Sequence, residues 1–424
     1  FSIVVFVPLV GGVLFYLIYQ AFGYDGISIL FALFGAGGAL ALFLTLQGIT
    51  RATAVNLVLV FLASAIISLR WPTRPEVLGP FFISILLFFL TSFHRRWAQW
   101  LLPLLFWLWA VTYGSSVFLG IIILALCLLV TRQWNIRSVL IFSISLLASF
   151  GNGYGWRSFF YIFSIPKIAT HVGEWLPMTV ALNPQNPGVA LFYQYPALVW
   201  GLFILLFAVT VALSVRKTLR IVWTQRFFAV LSLSILAPIF AVRFINLSPI
   251  LALPFFAVCL HASGKKTQRV VILFLLALAL FASSVRFKTS YFGLGLDANM
   301  FPIKSVRFLE EHDVTGNIFS NQEIGGFLAW RLPNSRIFVD TRDDLYLGSD
   351  MFKDLTMLNN GSMDILRLLG KYKAAIIVGD VSFEAYRPLF YYDNWRLVYL
   401  ANNSFVVVRA DLAKQYALDS LNAI

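Results

Sequence analysis

Charge divides this sequence in two. Up to residue 290 it carries three acidic side chains, Asp25, Glu76 and Glu174, against nineteen Lys and Arg; beyond that point come sixteen acids and thirteen bases. The first part is a succession of apolar runs, many near twenty residues, the length at which a helix crosses a bilayer. The second part has the mixed polarity of a water-soluble domain. Overall, 12% of residues are charged, about half the roughly 25% usual in soluble domains. The expected architecture is a polytopic α-helical membrane domain over 1–290, followed by a small soluble α/β domain over 291–424.

Eleven apolar segments can be marked, at 3–22, 27–47, 54–69, 77–93, 101–113, 116–131, 137–151, 196–215, 226–242, 244–260 and 270–285. The pair 101–113 and 116–131, hinged at Gly114-Ser115, reads either as a hairpin or as one broken helix. The connections differ sharply in charge. Arg51, Arg95, Arg96, Arg132, Arg137, Arg216, Lys217, Arg220, Arg226, Lys265, Lys266 and Arg269 fall on one side, while Arg70, Arg74, Arg157, Lys167, Arg243 and all three acids of this part fall on the other. The positive-inside rule makes the first side cytoplasmic and places the residues after 286 outside the cell. The net charge of +13 is thus a matter of membrane orientation, and nucleic acid is not an expected partner.

Cys127 and Cys259 each lie within an apolar segment and suit buried hydrophobes, with no disulfide framework or metal spacing. The four histidines are scattered. Phe1 already lies in an apolar stretch with no charged n-region before it, which points to a natural N-terminus upstream. In the tail, Ile303–His312 predicts a helix, Asn317–Ser320 and Arg336–Asp340 predict strands flanking a short helix around Phe327, and Ala374–Val378, Arg396–Leu400 and Phe405–Arg409 are β-branched runs that suit central strands.

Motifs of soluble enzymes are missing: the sequence has no P-loop, no GxSxG and no dinucleotide fingerprint. The candidate chemistry lies in polar groups at the outer face. Arg70 and Arg74, in Arg70-Trp-Pro-Thr-Arg74-Pro-Glu76, have the donor geometry for phosphate; the alternative is interfacial anchoring with Trp71 at headgroup depth. Arg243 stands between two apolar segments with no acid near it in sequence, the kind of residue that marks a function or else snorkels to headgroups. Glu174, beside Trp175, is the sole acid of the long connection 152–195; it suits a general base or a sugar-hydroxyl ligand, or a structural bridge to Arg157 or Lys167. Asp25 suits a helix N-cap. In the tail, Glu323, Asp340 and Arg342 are the candidates, because ligands of open α/β sheets bind at the C-terminal ends of strands; an Asp340–Arg342 pair that holds its own loop is the structural alternative. Glu76 and Glu174 alone are too few carboxylates to indicate a divalent metal.

Taken in order, these pieces resemble bacterial membrane glycosyltransferases of the GT-C superfamily that carry a C-terminal exterior domain. Gly325-Gly-Phe-Leu-Ala-Trp-Arg-Leu-Pro333 followed by Val339-Asp-Thr-Arg342 is similar to that group's "GGYL-W-L-P" stretch and following "D-G-R". Arg74-Pro75 before a span, Asn152-Gly-Tyr-Gly155 beside "N-P-Y-G", Glu174-Trp175 beside "E-W", and Arg243 before Pro249 extend the likeness over most of the chain. Trp107-Leu-Trp-Ala-Val-Thr-Tyr-Gly114 stands where the group has "W-A-N-x-H-G", so Val111 and Tyr113 replace its Asn and His, which argues against a polar role at either position.

The resemblance implies transfer of a sugar from a polyprenyl-phosphate carrier to a glycan, lipid or protein acceptor at the outer face of the bacterial cytoplasmic membrane. It implies a main catalytic base in an exterior loop upstream of residue 1; on the chemistry of the residues themselves, Glu174 is expected to contact acceptor or sugar, and Arg70, Arg74 and Arg243 to hold the donor phosphate. Two other readings compete: a non-catalytic membrane subunit whose exterior domain docks membrane-protein partners, and a lipid or solute transporter.

Overall fold

The computed structural model describes residues 9–421 apart from 70–74, 134, 158–174, 184–186, 215–225, 290–292, 298–299, 343–345, 347–348, 360–363, 381–385, 387–388, 390–391 and 402–403. The chain is mostly helical and divides between Gly295 and Leu296 into two compact units.

In the helical unit, α1 (Leu9–Thr50) carries one break, at Gly23, whose φ of 63° and ψ of −156° lie outside the helical region. Glycine reaches that conformation without a Cβ clash. The two apolar segments expected at 3–22 and 27–47 are therefore joined through this break with no intervening loop, and Asp25 lies inside the helix just beyond it instead of capping its start. The turn from α1 into α2 (Thr53–Ser68) is fastened by amide and hydroxyl groups. Gln47 Nε2 donates to Thr53 Oγ1 at 2.8 Å, the fully buried Asn56 donates to Gln47 Oε1 at 2.8 Å, and Thr50 Oγ1 donates to Asn56 Oδ1 at 3.0 Å. Buried amides demand such partners, so this network also fixes the register of α1 against α2.

Next come α3 (Leu78–Thr91), α4 (Arg96–Tyr113), α5 (Val117–Thr131) and α6 (Ile136–Ala148). A single 3-10 turn, Gly114–Ser116, separates α4 from α5. Gly120 of α5 lies against Phe106 and Trp109 of α4, so closely that a Cβ there would stand 2.5 Å from the Trp109 ring. The two helices are therefore a hairpin and not one broken rod. Phe82 of α3 stacks on Trp109 with ring centroids 5.3 Å apart. Arg132 ends α5 in the left-handed conformation, and Asn135 caps α6 by accepting from Ser138 N at 2.9 Å.

Helix α7 (Pro187–Leu213) begins nine residues before the expected apolar segment and takes Pro196 into its interior. Trp200, buried on α7, donates its indole N–H to the Ile235 carbonyl at 3.1 Å. The segment expected to run unbroken over 226–242 instead comprises short helical pieces up to Phe240, extended backbone at Ala241, and a 3-10 turn at Val242–Asn246. Helices α8 (Ser248–Ala262) and α9 (Lys265–Thr289) complete the unit.

Of the described helices, Val10–Thr50, Tyr193–Leu213 and Lys265–Phe287 are long and apolar enough to cross a membrane; α2, α3, α5, α6 and α8 are apolar but shorter. The unit's interior is formed by residues such as Leu59, Ile83, Phe106, Leu124, Phe203 and Phe256, all fully buried. Its outside is apolar as well: Leu33, Leu129, Leu205, Leu273 and Leu280 are each more than half exposed.

The C-terminal unit is built on a five-stranded sheet in the order β2 (Arg336–Ile337), β1 (Asn317–Phe319), β3 (Ile376–Asp380), β5 (Ser404–Arg409), β4 (Trp395–Ala401). β1 pairs in parallel with both β2 and β3, and the β3–β5 and β5–β4 pairs are antiparallel. Successive side chains of β3 and β5 point to opposite faces, yet Ile376, Ile377, Val378, Val406, Val407 and Val408 are all buried. A sheet covered on both faces explains these unbroken apolar runs. On one face α10 (Ile303–Glu311) brings Ser305 Oγ to 2.8 Å from Ser404 Oγ and stacks Phe308 on Tyr399. Phe319, Phe338, Leu368, Tyr386 and Phe405 belong to the core that includes Ile377 and Val407.

Candidate functional site

Several connections of the helical unit converge on Arg243. The extended residue Ala241 and the turn after it swing this side chain out of the helix path, and Val242 N anchors the turn by donating to the Leu176 carbonyl at 3.1 Å. Arg243 Nη2 donates to Glu76 Oε1 at 3.3 Å and to the Tyr113 hydroxyl at 3.2 Å. The guanidinium carbon lies 4.6 Å from the centre of the Trp175 ring, and Trp175 in turn meets Phe244 edge to face.

Each member is held by the end of an element. Glu76 lies in the 3-10 turn that opens α3. Tyr113 is the last residue of α4. Trp175 precedes Pro177, which opens the short helix Met178–Ala181. Four distant segments thus supply a carboxylate, a phenol, an indole and a guanidinium to one place.

The surroundings keep that geometry. Gly79, one turn after Glu76, faces Tyr113 and Ser116, and Ser116 accepts the Trp109 indole N–H at 2.8 Å. Asn152, almost fully buried, receives the Tyr154 N–H on Oδ1 at 3.0 Å. Its Nδ2 lies beside Gly114 and has no partner among the described residues. Arg243 and Glu76 remain 25% and 27% exposed, so the pair borders open space. A guanidinium held this way can accept an anion in place of the carboxylate, and an indole face next to it can carry a sugar ring or a cation.

Of the residues singled out in the sequence, Arg243 is at this centre. Arg70, Arg74 and Glu174 lie outside the described residues. Tyr113 corrects an expectation: its hydroxyl bonds Arg243 directly, a polar role that the change from His had argued against. Val111 is buried among apolar groups. Sequence reading missed the Arg243–Glu76 pair because 167 positions separate the partners. A signal was nevertheless present, since an arginine in an apolar context has only three acids in its unit to choose from.

In the C-terminal unit, Asp340 is buried and accepts from Arg342 N at 2.9 Å and from Arg342 Nε, with Nη2 closing the pair. Burial alone would raise the Asp340 pKa, but the Arg342 guanidinium and backbone N–H outweigh it and hold the carboxyl below its usual range. This is a local pair that fixes its own loop. Glu323 is exposed in the first turn of α11 (Gln322–Arg331), a position favourable to the helix dipole. Among the described residues no group of three His, Cys, Asp or Glu is placed to hold a metal. Comparison with protein-family models and with curated proteins finds no match.

Proposed function

We propose that this protein is an integral-membrane glycosyltransferase of GT-C type, which moves a sugar from a polyprenyl-phosphate carrier to an acceptor hydroxyl at the outer face of the bacterial cytoplasmic membrane. In this reading the short apolar helices also lie in the bilayer, and the C-terminal unit is extracytoplasmic. The apolar exterior of the helices supports embedding, since no soluble surface is so uniformly apolar. Orientation is supported by Arg51, Arg95, Arg96, Arg132, Arg137, Lys265 and Lys266, which occupy the connections alternating with those of the Arg243 site.

The observation that carries the proposal is Arg243 itself, a partly exposed cation steadied by Glu76, Tyr113 and Trp175. In the reaction, a carboxylate takes the acceptor's hydroxyl proton, the acceptor oxygen attacks the anomeric carbon, and the bond from that carbon to the carrier phosphate breaks. The phosphate leaves with the electron pair, and Arg243, with Arg74 and Arg70, offsets its growing charge. Glu174 is the carboxylate of this chain assigned to acceptor or sugar, and the Trp175 face packs the sugar ring.

The reading is tested by sugar transfer from radiolabelled polyprenyl-phosphate sugars in native membranes holding the gene's full-length product. Transfer abolished by Arg243→Ala and by Glu174→Gln supports it, transfer that survives both removes these two residues from the mechanism, and folded protein that transfers no sugar from any donor rejects it. A second reading draws on the same site: because Glu76 already neutralises Arg243, the ring can equally be a structural clasp in a non-catalytic subunit. Full-length protein that forms a stable partner complex, yet transfers no sugar from any donor, would favour that alternative.

A further inference from the structure

The 3-10 turn that carries Arg243, Val242–Asn246, leads through Leu247 directly into α8. The N-terminus of this fifteen-residue helix therefore follows the guanidinium by a few residues of chain. Leu251 N donates to the Leu247 carbonyl at 3.2 Å. The N–H groups of Ser248 and Ile250 lie ahead of it, where a helix offers no carbonyl one turn back, and Pro249 between them has no N–H. No acidic residue lies in the first turn of α8, so the positive end of the helix dipole is not offset there by a carboxylate of its own.

A second observation concerns the residue that opens this helix. Ser248 is 1% exposed, and its hydroxyl has no hydrogen-bond partner among the described residues. Other buried hydroxyls of the unit turn back on their own helix: Thr45 donates to the Ala41 carbonyl at 2.8 Å, Ser84 to Pro80 at 2.8 Å and Thr210 to Leu206 at 2.7 Å. Ser248 is preceded by a 3-10 turn instead of a turn of α-helix, and its hydroxyl is left among the first-turn N–H groups. A buried polar group without a partner is costly to the fold, which makes this one a donor in search of an acceptor. Room for a ligand lies close by. Ile250, two residues after Ser248, lines a cavity of about 500 Å³ whose wall also includes Pro80, Phe81 and Ser84 of α3, the helix that follows the Glu76 turn.

We propose that the N-terminal turn of α8 is a second phosphate-holding element of the Arg243 site, in which the Ser248 hydroxyl and the first-turn N–H groups donate to oxygens of the carrier phosphate. Helix N-termini with free N–H groups take anions, and a set made of donors alone, with no carboxylate in the turn, selects one. Neutral donors also add to the stabilisation from Arg243 without placing a second cation beside it. The inference rests on the reading of Arg243 as the carrier-phosphate site, and it adds Ser248 as a binding residue.

The test is equilibrium binding of polyprenyl phosphate, and of polyprenol as its phosphate-free counterpart, to the full-length protein in mild detergent. Wild type is compared with Ser248→Ala and Ser84→Ala. Ser248→Ala is expected to weaken polyprenyl phosphate by about tenfold, the low end for one hydrogen bond to a charged group, and to leave polyprenol unchanged. Its thermal unfolding without ligand should match or exceed wild type, because the lost hydroxyl made no bond in the fold. Ser84→Ala removes a hydroxyl bonded to its own helix and should leave phosphate binding at the wild-type level. Polyprenyl phosphate bound equally by wild type and Ser248→Ala would overturn the proposal, as would equal losses of both ligands in Ser248→Ala or wild-type protein that does not prefer the phosphate. Protein that binds the phosphate through Ser248 yet transfers no sugar would reject the glycosyltransferase reading and leave this inference standing.

Discussion

The two units use the same chemical pair in opposite ways. In the helical unit Arg243 meets Glu76 across 167 positions, both partners are partly exposed, and a phenol and an indole complete the ring. In the C-terminal unit Arg342 meets Asp340 across two positions, the carboxylate is buried, and the backbone N–H of Arg342 joins in. A local pair saturated by its own loop stiffens that loop and has little capacity left for a ligand. A long-range pair at the rim of an apolar bundle assembles only when the bundle folds, and its cation can exchange a carboxylate for another anion. Scarcity sharpens the contrast: the helical part has three acids and the tail sixteen, so a carboxylate beside Arg243 is much less expected by chance than one beside Arg342.

The contrast can be broken experimentally. The largest effect is expected at Arg243. Its replacement by Ala should lower sugar transfer by about 10²–10³-fold, the usual effect of removing one donor to a developing anion, while Arg342→Ala should leave transfer near wild type in the same membranes. If both variants lose transfer alike, the distinction between exchangeable and structural pairs fails.

Next in size is Gly325→Ala. A Cβ there would stand 1.9 Å from the Val339 carbonyl oxygen, so α11 must move off the strand that leads to Asp340. Overpacking of this kind costs about 1–3 kcal/mol, which should appear as earlier thermal unfolding and faster proteolysis of the C-terminal unit, with Arg243 chemistry intact.

Acid should distinguish the pairs further. The folded pKa of Asp340 is depressed by Arg342, so its contribution to stability is present above the ordinary carboxylate range and is lost as pH falls through the lower folded value. Asp340→Asn should remove that part of the acid sensitivity, seen as a flatter dependence of unfolding on pH below about 4. An unchanged pH profile would show that the pair contributes nothing to stability.

The smallest effect is expected at Tyr113. Its change to Phe removes one charge-assisted hydrogen bond from the Arg243 guanidinium, at this partly exposed site worth about 1.5 kcal/mol, the low end for such bonds, and should lower transfer by about tenfold. A larger loss would move the hydroxyl from positioning Arg243 to touching substrate.

Much of this was legible from the residues, for reasons that also explain what was not. Runs of β-branched residues announced β3, β4 and β5, because that signal is local, although β4, read as a central strand, lies at the edge of the sheet. The helix boundaries were harder. Pro196 reads as a breaker, but α7 runs through it, and α1 continues past Gly23 with Asp25, read as a cap, inside the helix. The site was legible as separate pieces at Glu76, Trp175 and Arg243. Their meeting was not, since tertiary packing sets pairing between distant segments and leaves no mark on local pattern. Tyr113 was undervalued because its phenol was read as a lost histidine and not as a hydroxyl able to accept from Arg243.

The central claim is that Arg243 is an anion site for which Glu76 holds the place. It is tested most directly by equilibrium binding of a polyprenyl phosphate to the full-length protein, comparing Arg243→Ala and Glu76→Gln with wild type. The account predicts that binding is lost in Arg243→Ala and tightens in Glu76→Gln by up to about fivefold, the range of a partly exposed ion pair. Binding unchanged by Arg243→Ala would contradict it.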